Sequence, residues 1–199
     1  LRDALERGIA QLAGAGMPDG DIGELQRDQL LQLVALLAKW NKVYNLTAVR
    51  DPRQMIDRHL LDSLVMSRWL PKSTSGRTDL FDVMDVGTGA GLPVLPLALV
   101  RPDLRFLSVE SNGKKTRFQQ QVLLELGMQN VDIRHARIQN VTESADLIVS
   151  RAFTAPQEFL DIAYSRCARE GRVAVMLGAA DRMPDEIGPS YRLEEFKKL

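Results

Sequence analysis

The sequence predicts an α/β protein with a doubly wound, predominantly parallel sheet and an N-terminal helical extension. Three observations carry this expectation. From about residue 77 onward, apolar runs alternate with helix-like segments. One of these runs, Phe81 to Val86, breaks into the alternate glycines of Gly87-Thr88-Gly89-Ala90-Gly91, as a buried parallel strand does when it ends in a tight turn. Before residue 72, apolar residues fall at the three-and-four spacing of helices.

Leu30, Leu33, Leu37, Trp40 and Tyr44 form one such stripe and predict an amphipathic helix over about 25–45. A second helix is expected from Asp51-Pro52, since Asp is a good N-cap and Pro suits the first helical position. It should run past His59, Leu60, Leu64 and Val65 to about Leu70. Pro71 to Gly76 reads as a linker. The expected division is therefore a helical extension over 1–72 and a sheet-containing core over 77–199 that forms one compact unit. Strands are predicted at 81–86, 105–109, 131–134, 146–149 and 172–177, with helices between them.

With 199 residues and 22.2 kDa, the chain can bury one good core but hardly two independent ones. Its single cysteine, Cys167, excludes an internal disulfide or a thiolate metal cluster and reads as a buried structural thiol rather than a nucleophile. His59 and His135 have no third ligand at useful spacing, so no metal site is expected. Apolar runs such as Leu92 to Val100 are too short to span a bilayer, and no signal pattern opens the chain, so the expected setting is the cytoplasm, away from membranes. The zero net charge conceals a local imbalance. Over 39–72, Lys39, Lys42, Arg50, Arg53, Arg58, Arg68 and Lys72 face only Asp51, Asp57 and Asp62, whereas acids predominate over 1–38.

The glycine spacing narrows the ligand. Dinucleotide sites carry G-x-G-x-x-G, but here Gly87, Gly89 and Gly91 give G-x-G-x-G, with Asp85 two residues before the first. This is the arrangement of S-adenosylmethionine (SAM) methyltransferases, whose ligand carboxylate is expected near amides at the start of the following helix. Glu110 ends the next strand, roughly 20 residues on, where a carboxylate accepts hydrogen bonds from both ribose hydroxyls. Alone, the loop also fits a plain strand-to-helix turn and Glu110 an exposed strand-end acid; together they indicate a nucleoside site.

Four stretches then occur in order: Lys39-Trp40-Asn41-Lys42-Val43-Tyr44-Asn45-Leu46-Thr47, Arg58-His59-Leu60-Leu61-Asp62-Ser63, the loop Gly87 to Pro93, and Ser150-Arg151-Ala152-Phe153. Over about residues 25–187 the chain closely resembles the bacterial glucose-inhibited division protein B family, also called ribosomal RNA small subunit methyltransferase G. The resemblance implies a class I SAM-dependent methyltransferase (Rossmann-like) core. It also implies methylation of N7 of one guanine in 16S rRNA, guanine 527 in the usual rRNA numbering. By this resemblance Gly87, Gly89, Gly91 and Leu92 would contact SAM, Glu110 its ribose, and Ile138 and Gln139 its adenine. Arg151 would lie at the junction of cofactor and guanine, where its other reading is a paired structural arginine. The implied partner is 16S rRNA within the small ribosomal subunit or an assembly intermediate, and the expected state is a monomer.

The residue inventory agrees with this chemistry. Guanine N7 has an in-plane lone pair and no proton, so no general base is required. No cysteine nucleophile for pyrimidine C5 or Asn/Asp-Pro-Pro-aromatic loop for adenine N6 stands out. Arg137 and Arg151 are candidates to bond guanine O6 or a phosphate. Lys114, Lys115 and Arg117 either hold RNA phosphate or form a solvated helix start. His59 and Asp62 are read as structural bonding beneath the loop, with RNA contact as the other reading. Two departures from the family pattern are visible. Leu177-Gly178 stands where the family usually has lysine before glycine, and the sequence ends at Leu199 short of the family's final strand segment and its Arg-His pair. A small-molecule SAM methyltransferase and a non-catalytic nucleotide- or RNA-binding module are the two competing functions.

Overall fold

The structure is a computed structural model and describes residues 1–14, 22–74, 76–151 and 156–176. Five parallel strands stand in the order β3-β2-β1-β4-β5. They are β1 (Phe81–Val86), β2 (Phe106–Glu110), β3 (Val131–His135), β4 (Ala145–Arg151) and β5 (Cys167–Met176). The chain starts at the centre with β1, moves outward to β3, then returns to the other side of β1. This reversal opens a crevice at the carboxyl ends of the strands, where open parallel sheets bind ligands.

Both sheet faces are covered, so all six residues of β1 and all five of β2 are buried. On one face pack α1 (Arg2–Gly14), α2 (Glu24–Tyr44), the helical run over 52–69, α5 (Val94–Val100) and α6 (Gly113–Leu126). Their core joins Leu5, Leu33, Leu37, Leu60 and Phe118 to Val83 and Phe106 of the sheet, so the N-terminal helices and the strands share one core. On the other face, α7 (Pro156–Tyr164) brings Phe159 and Ala163 against Met84 and Ile148.

The predicted stripe of α2 is buried at Leu30, Leu33 and Leu37, and the helix stops where Asn45 takes a left-handed conformation at φ 50°. The second predicted helix starts as expected, with the Asp51 carboxylate accepting from Arg53 N–H at 3.0 Å and Pro52 in the first turn. It is not a uniform α-helix. After α3 (Pro52–Met55) come π-helical turns over Ile56–Leu61, then α4 (Asp62–Val65) and a 3₁₀ turn over Met66–Trp69. In the π segment Asp62 N–H bonds to Asp57 C=O, one residue further back than an α-helix allows. The carbonyl that an α-helix would give to Asp62, that of Arg58, instead accepts from Arg151 at the end of β4. Apolar periodicity carries no signal of such a one-residue slip.

β5 also departs from expectation, beginning at Cys167 rather than 172. Ala145 pairs with Cys167 and Leu147 with Arg172, so residues 168–171 bulge out of the ladder. The polar run Arg169-Glu170-Gly171 hid the strand start. A Cβ on Gly171 would meet Asp146 O at 2.8 Å, so backbone approaches backbone there. Cys167 is half-buried, and burial pushes its thiol pKa up, as suits a structural thiol.

Candidate functional site

β1 and β2 end side by side, and their ends build the glycine loop. Gly87 N–H and Thr88 N–H both donate to Val109 C=O, at 2.9 and 3.3 Å, while Gly87, Gly89 and Gly91 have φ of 69°, 63° and 81°. Only glycine holds such angles without strain. Gly89 N–H donates to Glu110 Oε2 at 2.8 Å, and Asn112 N–H donates to Glu110 Oε1 at 2.8 Å. The Glu110 carboxylate thus braces the loop with one bond per oxygen and keeps a lone pair on each for further donors. From below, the buried Gln119 amide donates to Gly89 C=O at 2.8 Å and accepts from the Ser108 hydroxyl at 2.6 Å.

Gly91 faces inward. A Cβ there would lie 2.3 Å from Leu95 Cδ1 and 3.3 Å from Gln119 Cγ. We predict that Gly91→Ala destabilises the fold by about 2 kcal/mol or more, combining left-handed strain with overpacking. Urea unfolding checks this; a change below about 0.5 kcal/mol would contradict it.

The loop opens onto a cleft of about 290 Å³ lined by Val86, Gly87, Val109, Glu110, Ser111, Ala136, Arg137, Ile138 and Gln139. Five of the residues singled out in the sequence, Gly87, Glu110, Arg137, Ile138 and Gln139, therefore converge on one wall. Gly89 caps it through its bond to Glu110. Gly91 and Leu92 do not line the cleft, and the Leu92 side chain lies in the core. A second cleft, of about 390 Å³ at the opposite end of the sheet, contains no titratable side chain and carries no chemistry.

The amides at the start of α5 are not open to a ligand. Val94 N–H donates to Asp85 Oδ2 at 3.1 Å, Gly91 and Leu92 N–H turn back to Thr88 C=O, and Pro93 has no N–H. Among the described residues Ala90 N–H is left without an acceptor. The Lys115 ammonium stands 3.7 Å from where a Gly89 Cβ would be and has no ion-pair partner among the described residues. These are the groups left to meet an anion at the loop.

Asp85, noted in the sequence only for its place before the loop, is the cap of α5. Its carboxyl is fully buried, and burial pushes its pKa up to about 7; the Thr88 hydroxyl, Val94 N–H and Arg151 pull the other way. Between its ordinary pKa of 3.8 and about 7, folded Asp85 holds a proton that the unfolded chain has released. Its contribution to stability therefore falls as pH rises through that window. Asp85→Asn removes this titration, so the variant should gain on the wild type from about pH 4 to pH 8, by at most on the order of 4 kcal/mol. Urea unfolding across that range tests it; a pH-independent difference would contradict it.

Arg151 stands at the end of β4, the strand next to β1. Its Nη1 donates to Arg58 C=O at 3.0 Å, and Nη2 lies 3.4 Å from His59 Nδ1. His59 Nε2 is 2.8 Å from Thr47 Oγ1, and its Nδ1 is 2.9 Å from Arg58 C=O. The Arg58 carbonyl can only accept, which places the ring proton on Nδ1 and leaves Nε2 to accept from the Thr47 hydroxyl, whose oxygen also accepts from Val49 N–H. Burial lowers the His59 pKa, the bond to Arg58 C=O opposes it, and the Arg151 and Arg58 charges lower it further, which disfavours the charged ring. Asp62 is exposed at its surface, yet partial desolvation raises its pKa, and the Arg151 charge opposes that rise. The motifs containing Thr47 and His59, 12 residues apart, meet that of Arg151, 92 residues beyond His59, in one group.

Lys114 and Arg117 are exposed on α6, away from the cleft wall. Ala152, Phe153, Leu177, Gly178 and the segment to Leu199 lie outside the described residues. Among the described residues no three His, Cys, Asp or Glu side chains are grouped to hold a metal ion, and no helix is long and apolar enough to cross a membrane. Gln119 and Thr47 are the contributors that sequence reasoning missed, because each acts by holding backbone or another side chain in place.

The topology and this loop define a Rossmann-like α/β protein with a preformed cleft at the carboxyl ends of its central strands. The family model for rRNA small subunit methyltransferase G matches residues 26–197. Proteins of that name from Marinobacter nauticus, Yersinia pseudotuberculosis and Chromohalobacter salexigens are 44%, 42% and 42% identical to the chain. The matches cover 83%, 90% and 98% of this chain and 73%, 81% and 88% of theirs. The chain belongs to the rRNA small subunit methyltransferase G family and is an enzyme.

Proposed function

We propose that the protein uses SAM to methylate N7 of one guanine of 16S rRNA, guanine 527, acting as a cytosolic monomer on the small subunit or an assembly intermediate. The observation that carries the reading is the convergence of Gly87, Glu110, Arg137, Ile138 and Gln139 on one cleft beside Arg151. The residues fit the cofactor. Glu110 has two lone pairs for the ribose hydroxyls, the Ile138 segment offers an apolar wall for adenine, and Ala90 N–H with Lys115 is left for the amino-acid carboxylate. When bound, SAM supplies an electrophilic methyl group on a positively charged sulfur.

The chain's own work is positioning. Guanine N7 carries no proton, so no residue need accept one, and positive charge is moved to the base rather than created. Holding the two reactants in line can supply roughly 7 to 11 kcal/mol of the barrier. Arg151, fixed by Arg58 C=O and beside His59, is placed to bond O6 or a phosphate while leaving N7 free. Arg137, on the lip of the cleft, is a second such donor. The test is the nucleoside profile of 16S rRNA from a strain lacking the protein. Loss of one N7-methylguanosine is expected; an unchanged profile by mass spectrometry would refute the substrate.

A further inference from the structure

We propose that the tip of α2, together with the first turns of α6, is a docking platform for an unpaired RNA nucleotide, which stacks on Tyr44. The inference rests on the RNA-substrate reading above and adds a contact outside the cleft.

α2 and α6 lie antiparallel: the Gln29 side chain bonds Leu126 C=O near one end, and the Trp40 and Phe118 rings meet 5.7 Å apart near the other. One further turn along α2 and one turn back along α6 bring Tyr44 and Lys114 to the same level, at the end of the sheet that carries the glycine loop. Lys115, beside Lys114, confirms that level by reaching over Gly89. Tyr44 stacks obliquely on Trp40 with centroids 5.3 Å apart, and Trp40 is seated on buried Phe118. This row of rings leads from the core to the surface and is open at its outer end. Tyr44 is 41% exposed and its neighbour Val43 70%, so the ring is accessible from solvent.

Charge selects the occupant. Lys42 in the last turn of α2 and Lys114 and Arg117 in the first turns of α6 are exposed, and have no ion-pair partner among the described residues. An exposed ring at a helix end, with exposed cations on the same two helix ends, suits single-stranded nucleic acid, with a base on the ring and phosphates on the cations.

The test compares Tyr44→Leu, which keeps apolar contact with Trp40 but removes the ring face, with Tyr44→Phe, which keeps both. Tyr44→Leu should raise KM for unmethylated small subunits and Kd for a 16S rRNA transcript about tenfold, while Tyr44→Phe stays near wild type. SAM affinity by calorimetry should be unchanged in both. Lys114→Gln should reduce the slope of log affinity against log salt by about 0.7, one phosphate contact. A Tyr44→Leu variant within twofold of wild type in both KM and Kd would overturn the stacking site alone. A wild type that transfers no methyl to small-subunit RNA would instead overturn the parent reading.

Discussion

Gly87→Arg should abolish measurable SAM binding while leaving a folded chain. Gly87 is half-exposed on the cleft wall with φ of 69°, and its N–H bond to Val109 C=O does not involve a side chain. An arginine there keeps that bond and pays about 1–2 kcal/mol for the left-handed conformation, a loss that a domain of this size tolerates. Gly87 lines the cleft together with Glu110, Ile138 and Gln139, so a long cationic side chain at that position competes with the cofactor for the space. Calorimetry should show affinity reduced by at least about 100-fold, roughly 3 kcal/mol, with the unfolding midpoint still well defined. Affinity within tenfold of wild type would place the cofactor elsewhere. Gly91→Ala is the informative contrast, because its Cβ points into the core and should cost stability first.

Arg151→Met should leave SAM binding near wild type and lower kcat about 100-fold, the effect expected when a reacting group is misplaced by about 1 Å. Arg151 does not line the cleft wall, but it joins β4 to the π segment through Arg58 C=O and lies within electrostatic reach of Asp62 and Asp85. Removing it takes a positioned donor from the base and leaves the buried Asp85 and the exposed Asp62 without their nearby cation. Arg151→Lys should not restore the rate, since a single ammonium cannot hold Arg58 C=O with one nitrogen while presenting the planar guanidinium's other donors to the base. Single-turnover kinetics separates the chemical step from binding; a kcat within threefold of wild type in Arg151→Met would assign Arg151 a purely structural part.

Much of this arrangement was legible in the residues because its physics is local. Alternate glycines after an apolar run define the loop wherever they occur, and an acid at the next strand end falls beside it in any parallel β-α-β unit. The parallel sheet and its two covered faces follow from alternating strands and helices, whereas the 3-2-1-4-5 order does not, because other doubly wound orders share that alternation. What escaped depends on pairing at a distance. The π turns over 56–61 exist because Arg58 C=O serves Arg151, a partner 93 residues away that no periodicity within the helix announces. Gln119 looks like a surface residue of an amphipathic helix, yet it is buried because Ser108 and Gly89 complete its hydrogen bonds. Asp85 was marked by its position, but its capping of α5 shows only once Val94 N–H is found against it. The expected anion site at the start of α5 failed for the same reason, since the donors it needed are used within the loop.

The central claim is that this cleft serves methyl transfer to N7 of a single guanine of small-subunit rRNA. Its most direct measurement is transfer of radiolabelled methyl from SAM to unmethylated small subunits and to naked 16S rRNA in parallel, with the product base identified by mass spectrometry. Incorporation is expected to level off at about one methyl per RNA, recovered as N7-methylguanosine and largely lost in Arg151→Met. No incorporation into either substrate, or label recovered in any other base or atom, would contradict it.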